Sequence, residues 1–447
     1  MKIAVKLTCL LLIVCMLLPL TACGGDKENV IELNVYNWGE YISDGSEDSF
    51  DTNKEFEKYF NTTLSAKYNG AKVKVNYSTY PTNEDMYAKM KNSAASYDIV
   101  IPSDYMIQRL IEDKMLLSFD VEKDIPNYKY IPESFRSPYF DSDNTYSVPY
   151  TYGMLGIIYN KTMVDPEDID EEEERSWALM WNPKYAGNIL QFNNPRDAFA
   201  TAMYWKGLDI NATEPEPWNE ALELLKQQKP LLQGYVSDEI FDKMRGESAA
   251  IAPYFVGDFL TMADEQENLD FFYPREGVNY FVDSMCIPVT SKHPEIAKEY
   301  INFMLMPEVA MANAMYIGYA CPHTYVVENE EYITYMEEEF AYRGANGETA
   351  YDLLYDRDPD EVNKIYNSHF PPETKSPACY RSFTSEIQEL TNELWEDLKI
   401  SSSIEPWVHV TSIAIVVGVV GFAAYSIYIK KKRSRFYRER DKAKSKK

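Results

Sequence analysis

The chain has 447 residues and a hydrophobic fraction of 45%, enough for two or three domains around a large core. Its formal charge of −27 is unevenly carried: residues 1–23 hold only Lys2 and Lys6, residues 430–447 hold eleven Lys or Arg against two acids, and the body between is strongly acidic. That body excludes a nucleic-acid partner, whose phosphates it would repel, and suits cations.

The chain opens with Lys2 and Lys6 ahead of an apolar run, then Leu20-Thr21-Ala22-Cys23. This reads as a signal peptide over 1–22. The small residue before Cys23 resembles the lipobox of bacterial lipoproteins, which implies lipidation of Cys23. Residues 23–30 read as a tether. A strand is expected over 31–36, with Ile31, Leu33 and Val35 on one face, and Trp38, Gly39 and Tyr41 follow its end. Residues 72–77 and 97–101 read as further strands, with a helix from Asn83 between them. This alternation argues a mostly parallel sheet covered by helices. Ser103 is placed to cap a helix running to about Asp113.

A loop-rich, acidic stretch covers 118–147. Strands are then expected at 155–159, 189–192, 249–254, 270–273 and 278–288. Helices are expected from Ala198, over 216–228 and 237–245, past Pro294, and over about 382–399. Residues 407–429 carry no formal charge and run directly into Lys430-Lys431-Lys432-Arg433. That predicts a transmembrane helix over 407–429, with the basic tail 430–447 cytoplasmic and in contact with membrane lipid.

The sequence has no GxSxG elbow, HExxH helix, Walker A loop or CxxC pair, so no enzyme, metal or cofactor chemistry is expected. Cys286, Cys321 and Cys379 leave room for one disulfide that spacing does not assign. What recurs is strand ends delivering aromatic residues with single carboxylates: Trp38 with Tyr41, Tyr105, Asp197, Tyr254 with Asp258, Phe281 with Asp283, and Tyr319. Each alone is a weak signal: an aromatic at a strand end is usually core, and an exposed Asp is usually just solvated. Ligands of open α/β sheets, however, sit outside the carboxyl ends of strands. If these residues converge there, the aromatic faces attract ammonium groups by about 0.5–2 kcal/mol each, and the carboxylates take charge-assisted hydrogen bonds. Such a box fits an organic cation.

VYNWGEY (35–41), YDIVIPSDYMI (97–107), YSVPYTYGMLGI (146–157), NPRDAF (194–199), VDSMCIP (282–288) and IGYACP (317–322) follow one another in an order and spacing that resemble the spermidine/putrescine-binding proteins of bacterial polyamine ABC transporters. The resemblance covers 31–399. It implies an α/β, two-lobed type II periplasmic-binding-protein fold with a ligand cleft between the lobes. Lobe 1 would span 31–147 with about 285–319, and lobe 2 would span 148–284 with about 320–400. It further implies a monomeric, non-enzymatic receptor that hands a polyamine to ABC permease subunits served by a cytoplasmic ATPase.

Carried over by position, the ligand-binding residues are Trp38, Tyr41, Ser103, Tyr105, Asp197, Tyr254, Asp258, Phe281, Asp283 and Tyr319. Asn194 stands where the family has an acid, which weakens the case for spermidine, whereas Asp258 favours putrescine. Tyr380 and Arg381 fall near a further family contact, and neither is assigned. The alternative function is a membrane-tethered sensor for polyamines or small cations.

Overall fold

The structure is a computed structural model that describes residues 29–92, 96–169, 175–339, 342–344, 347–356 and 379–400. The expected signal peptide, Cys23, the 407–429 span and the basic tail lie outside the described residues. Among the described residues no helix is long and apolar enough to cross a membrane.

Strand β1 (Val30–Trp38) forms because Leu33 and Val35 alternate with polar neighbours, and both are fully buried. It pairs in parallel with β2 (Lys72–Tyr80) and with β3 (Ile99–Val100). The later strands are β4 (Ser147–Asn160), β5 (Ile189–Phe192), β6 (Leu232–Val236), β7 (Ile251–Phe255), β8 (Leu269–Phe272) and β9 (Tyr280–Cys286). Their order is β2-β1-β3-β9-β4-β7-β5-β6, with β8 also against β4. β5 runs parallel to β6 and β7.

β4 and β9 tie the two halves together. The first part of β4 pairs antiparallel with β9, and the rest pairs with β7 and β8. β9 in turn reaches β3. Every residue of β4 is buried, Ser147, Thr151 and Asn160 included, so its sequence shows no apolar–polar alternation. That hides its length: only 155–159 was expected from the sequence. One apolar cluster gathers Leu33, Val35, Phe56 and Tyr300 on the β1–β3 side, and a larger one includes Leu190, Phe199, Ile251 and Phe259 on the β5–β8 side. The fold is mixed α/β with two lobes.

Three local features depart from the sequence reading. β6 has no strong pattern: it is an edge strand containing Gly234, with only Val236 fully buried. Helix Pro307–Ile317 is apolar on most sides and so shows little 3.6-residue period; it stops at Gly318, whose φ of 68° suits a glycine cap. The helix expected from Ala198 starts at Pro195, where the missing N–H has no intrahelical partner to lose. Cys286 and Cys321 are buried, free thiols, so no disulfide joins those two, and Cys379 is buried as well.

Candidate functional site

The carboxyl ends of β1, β2, β3, β5, β6 and β7 open onto one cleft. Trp38, Tyr80, Ser103, Asn194, Ser237 and Phe255 lie at or just beyond those ends, and all line it. The cleft holds about 1130 Å³ of space, including solvent at its mouth. All ten residues expected from the sequence line it: Trp38, Tyr41, Ser103, Tyr105, Asp197, Tyr254, Asp258, Phe281, Asp283 and Tyr319. Glu84, Asp104, Arg196 and Tyr380 also line it and were not read from the sequence. Asp104 passes in sequence for an ordinary helix-opening acid, and Tyr380, near a further family contact, was left unassigned.

Asp283 enters the cleft from β9. It is 3% exposed and accepts the Tyr41 hydroxyl on Oδ2 at 2.7 Å, while its Oδ1 has no hydrogen-bond partner. Burial pushes this carboxyl up to about 6, and the Tyr41 and Ser103 hydroxyls pull it partly back. Tyr41 is held by Thr151 Oγ1 at 2.5 Å and meets the Tyr319 ring edge-on at 5.0 Å. Phe281 continues this wall, 6.2 Å from Tyr319.

Asp104 opens helix Asp104–Glu112. Its Oδ1 accepts from the Tyr105 N–H at 2.7 Å, and its Oδ2 is buried without a partner. Burial, reinforced by the nearby Asp283, pushes it up to about 8. Ser103 occupies the N-cap position of that helix but makes no capping bond. Its hydroxyl instead accepts from Asn83 Nδ2 at 3.1 Å, which corrects the capping role expected for it.

Asp258 sits in the first turn of helix Val256–Glu265 and accepts the Tyr319 hydroxyl at 2.9 Å. Burial raises it to about 7, with the negative charges of Asp238 and Glu40 adding to the shift. Gly257 makes this contact possible: a Cβ there would stand 2.4 Å from the Tyr319 ring.

Asp197 differs in having both oxygens occupied. Asn194 caps helix Pro195–Lys206 and donates to Oδ2 at 2.9 Å, and the Tyr380 hydroxyl donates to Oδ1 at 2.9 Å. Burial still raises its pKa. Glu84, Asp104, Asp197 and Asp258 each lie in the first turn of a helix, where the backbone dipole favours a negative charge.

The aromatic walls are fixed by their own partners. Trp38 Nε1 donates to the Ile101 carbonyl at 2.9 Å, and its ring lies 4.6 Å from Tyr80. Tyr254 stacks on Phe192 at 5.6 Å. Tyr105 points its hydroxyl at Glu84, 3.1 Å away, and Arg196 covers a face of its ring. Arg381 stacks on Tyr139 and is not part of the lining. Seven acidic side chains (Glu40, Glu84, Asp104, Asp197, Asp238, Asp258 and Asp283) line this cleft against one guanidinium, that of Arg196, a balance that favours cations. Among the described residues no group of His, Cys, Asp and Glu is arranged to hold a metal ion.

The family described as bacterial extracellular solute-binding protein matches residues 54–338. The chain belongs to this family. Among its relatives, the spermidine/putrescine-binding periplasmic protein of Escherichia coli is 31% identical over 68% of this chain and 81% of its own length. A solved structure described as a spermidine/putrescine ABC transporter from Listeria monocytogenes is 31% identical, with a TM-score of 0.67 over 83% of this chain and 99% of that one. The spermidine/putrescine ABC transporter substrate-binding protein of Streptococcus pneumoniae is 29% identical, with a TM-score of 0.57 over 83% of this chain and 98% of that one. The acidic, aromatic-walled cleft of this solute-binding protein opens between the β1–β3 and β5–β7 halves that β4 and β9 join.

Proposed function

We propose that this solute-binding protein captures a polyamine, putrescine or spermidine, outside the cytoplasm and delivers it to an ABC permease served by a cytoplasmic ATPase. The observation that carries the reading is Asp283: a buried carboxylate whose Oδ1 has no hydrogen-bond partner, on a residue lining a cleft walled by Trp38, Tyr41, Phe281 and Tyr319. A buried acceptor without a partner is destabilising, and a charged one more so. A solute ammonium would satisfy it by a charge-assisted hydrogen bond, while the rings cover the solute's methylenes. Asp104 and Asp258 supply further carboxyl stations, which meet the solute's charge in their ionised forms. The relatives named above support the polyamine class. The site binds without chemistry, as a receptor rather than an enzyme.

Within the polyamines the diamine is favoured. Asn194 stands where the resemblance places an acid, and the Asp197 oxygens are already engaged by Asn194 and Tyr380. In this reading residues 31–147 with about 285–319 move as one lobe, and 148–284 with about 320–400 move as the other. Lipid on Cys23 and the 407–429 span hold the monomeric receptor at the membrane.

Calorimetric titration of the full chain with putrescine, spermidine and spermine tests the reading. Saturable binding of at least one amine, lost in Asp283→Asn, is the expected result. No heat with any amine, in folded protein, would sink the assignment.

A further inference from the structure

β4 and β9 join the two lobes, but a second set of contacts crosses between them through residues of neither strand. Arg196 comes from the β5–β7 side. Its buried guanidinium lies 3.8 Å from the ring centroid of Tyr105, which belongs to the helix after β3, and its Nε stands 4.0 Å from Glu84, in the helix after β2. Phe383 covers it at 3.5 Å, and Nη1 donates to the Arg381 carbonyl at 3.1 Å.

Segment 379–383 is itself pinned on both sides. On the β5–β7 side, Asn211 donates to the Cys379 carbonyl at 2.9 Å and accepts from the Arg381 N–H at 2.8 Å. On the β1–β3 side, the Tyr139 hydroxyl donates to the Tyr380 carbonyl at 2.5 Å, and Gln108 Oε1 accepts from the Ser382 N–H at 3.1 Å. Tyr380 then reaches the cleft through its hydroxyl, on Asp197.

A guanidinium in a cleft made for cations works against its solute unless its charge is committed elsewhere. Here it lies against the Tyr105 ring and 4.0 Å from Glu84 across the lobe boundary, and against Phe383 and the Arg381 carbonyl on its own side, while Nε itself makes no hydrogen bond. Hinge opening about β4 and β9 would separate Arg196 from Tyr105 and Glu84, and Tyr139 and Gln108 from the segment. Contacts made only when the lobes are together raise the closed population without touching the solute.

We propose that Arg196 and segment 379–383 form an interlobe latch that sets how long the cleft stays closed on its solute. Arg196 is then a positioning residue. The kinetic half of the proposal rests on the polyamine reading, and the geometric half does not.

The test uses the full chain, with putrescine dissociation followed by stopped-flow tryptophan fluorescence and lobe closure by small-angle scattering. Arg196→Met keeps the length of the stem and removes the charge. Tyr139→Phe removes the crossing hydrogen bond to Tyr380, at a residue outside the cleft lining whose hydroxyl also neighbours Asp104. Arg196→Met is expected to release putrescine about tenfold faster or more, with association no slower. Tyr139→Phe is expected to shift release in the same direction by about two- to threefold. In ligand-free protein, Arg196→Met is expected to increase the radius of gyration.

Release at the wild-type rate in both variants would overturn the latch. Slower release and tighter binding in Arg196→Met would also overturn it, because that is the outcome if the guanidinium only repels the solute. If the wild-type protein binds no polyamine, the polyamine reading fails by itself. The latch then stands or falls on whether Arg196→Met and Tyr139→Phe expand the ligand-free protein.

Discussion

Asp283 and Asp197 are both buried carboxylates in one cleft, yet their surroundings differ in kind. Asp283 has one oxygen on Tyr41 and one without a partner, on a strand shared by both lobes. Asp197 has both oxygens satisfied by neighbours, Asn194 and Tyr380. The first is incomplete until a donor arrives. The second is already complete and anchors the segment that crosses between the lobes. Counting acids in a cleft therefore overstates the number of places for solute charge; the open oxygens give the better count.

The comparison is broken most directly at Asp283. Asp283→Asn should weaken polyamine binding by about 100-fold or more, since it removes the charge from a buried pair and leaves the ammonium unmatched. Calorimetry checks this, and a loss under tenfold would mean that Asp283 is not the open acceptor.

The next largest effect is expected from pH. Asp283, Asp258 and Asp104 titrate at about 6, about 7 and about 8 because burial disfavours their charged forms. The solute needs those charged forms, so affinity should rise by about tenfold or more from about pH 6 to about pH 8. The stability of the ligand-free protein should move the opposite way. Folded-state pKa values raised above the ordinary carboxylate range mean that the folded state binds more protons, so this contribution is full in acid and is lost as pH rises to about 8. Thermal unfolding with and without putrescine across that range reads both signs, and parallel trends would contradict them.

Asp197→Asn sharpens the contrast from the other side. If Asp197 is satisfied internally, affinity for the diamine should fall by less than about tenfold, well below the effect at Asp283. Putrescine loss equal to that of Asp283→Asn would put Asp197 among the open stations. The smallest change tests the wall beside Asp258. Gly257→Ala forces a Cβ into the Tyr319 ring and should cost about 1–3 kcal/mol of stability, measurable by denaturant unfolding. It should also detach Tyr319 from Asp258 and raise the Kd modestly.

The sequence alone was sufficient for much of this cleft. Strand ends rich in aromatics and single acids pointed to Trp38, Tyr41, Tyr254 and Asp258, because parallel strands bring their carboxyl ends to one side wherever they fall in the chain; Phe281 and Asp283, read the same way, lie instead within β9, which runs antiparallel to β3 and β4. It was silent on Asp104, which has no feature distinguishing it from any acid in a helix's first turn. What sets Asp104 apart is an unpartnered oxygen, and that depends on neighbours far away in the chain. It also misjudged Ser103, whose hydroxyl answers to Asn83 and not to its own helix.

Periodicity, strand-end chemistry and composition therefore determined the mixed α/β class, most elements and the cationic character of the ligand, because each is a local property of neighbouring residues. The length of β4, the edge strand β6, the engagement of Asp197 and the crossing made by Arg196 were decided only by tertiary structure. Each depends on which distant groups meet: β4 with both β7 and β9, Asp197 with Tyr380, and Arg196 with Glu84 and Tyr105. Burial and hydrogen-bond satisfaction are properties of such meetings, and no stretch of sequence carries them by itself.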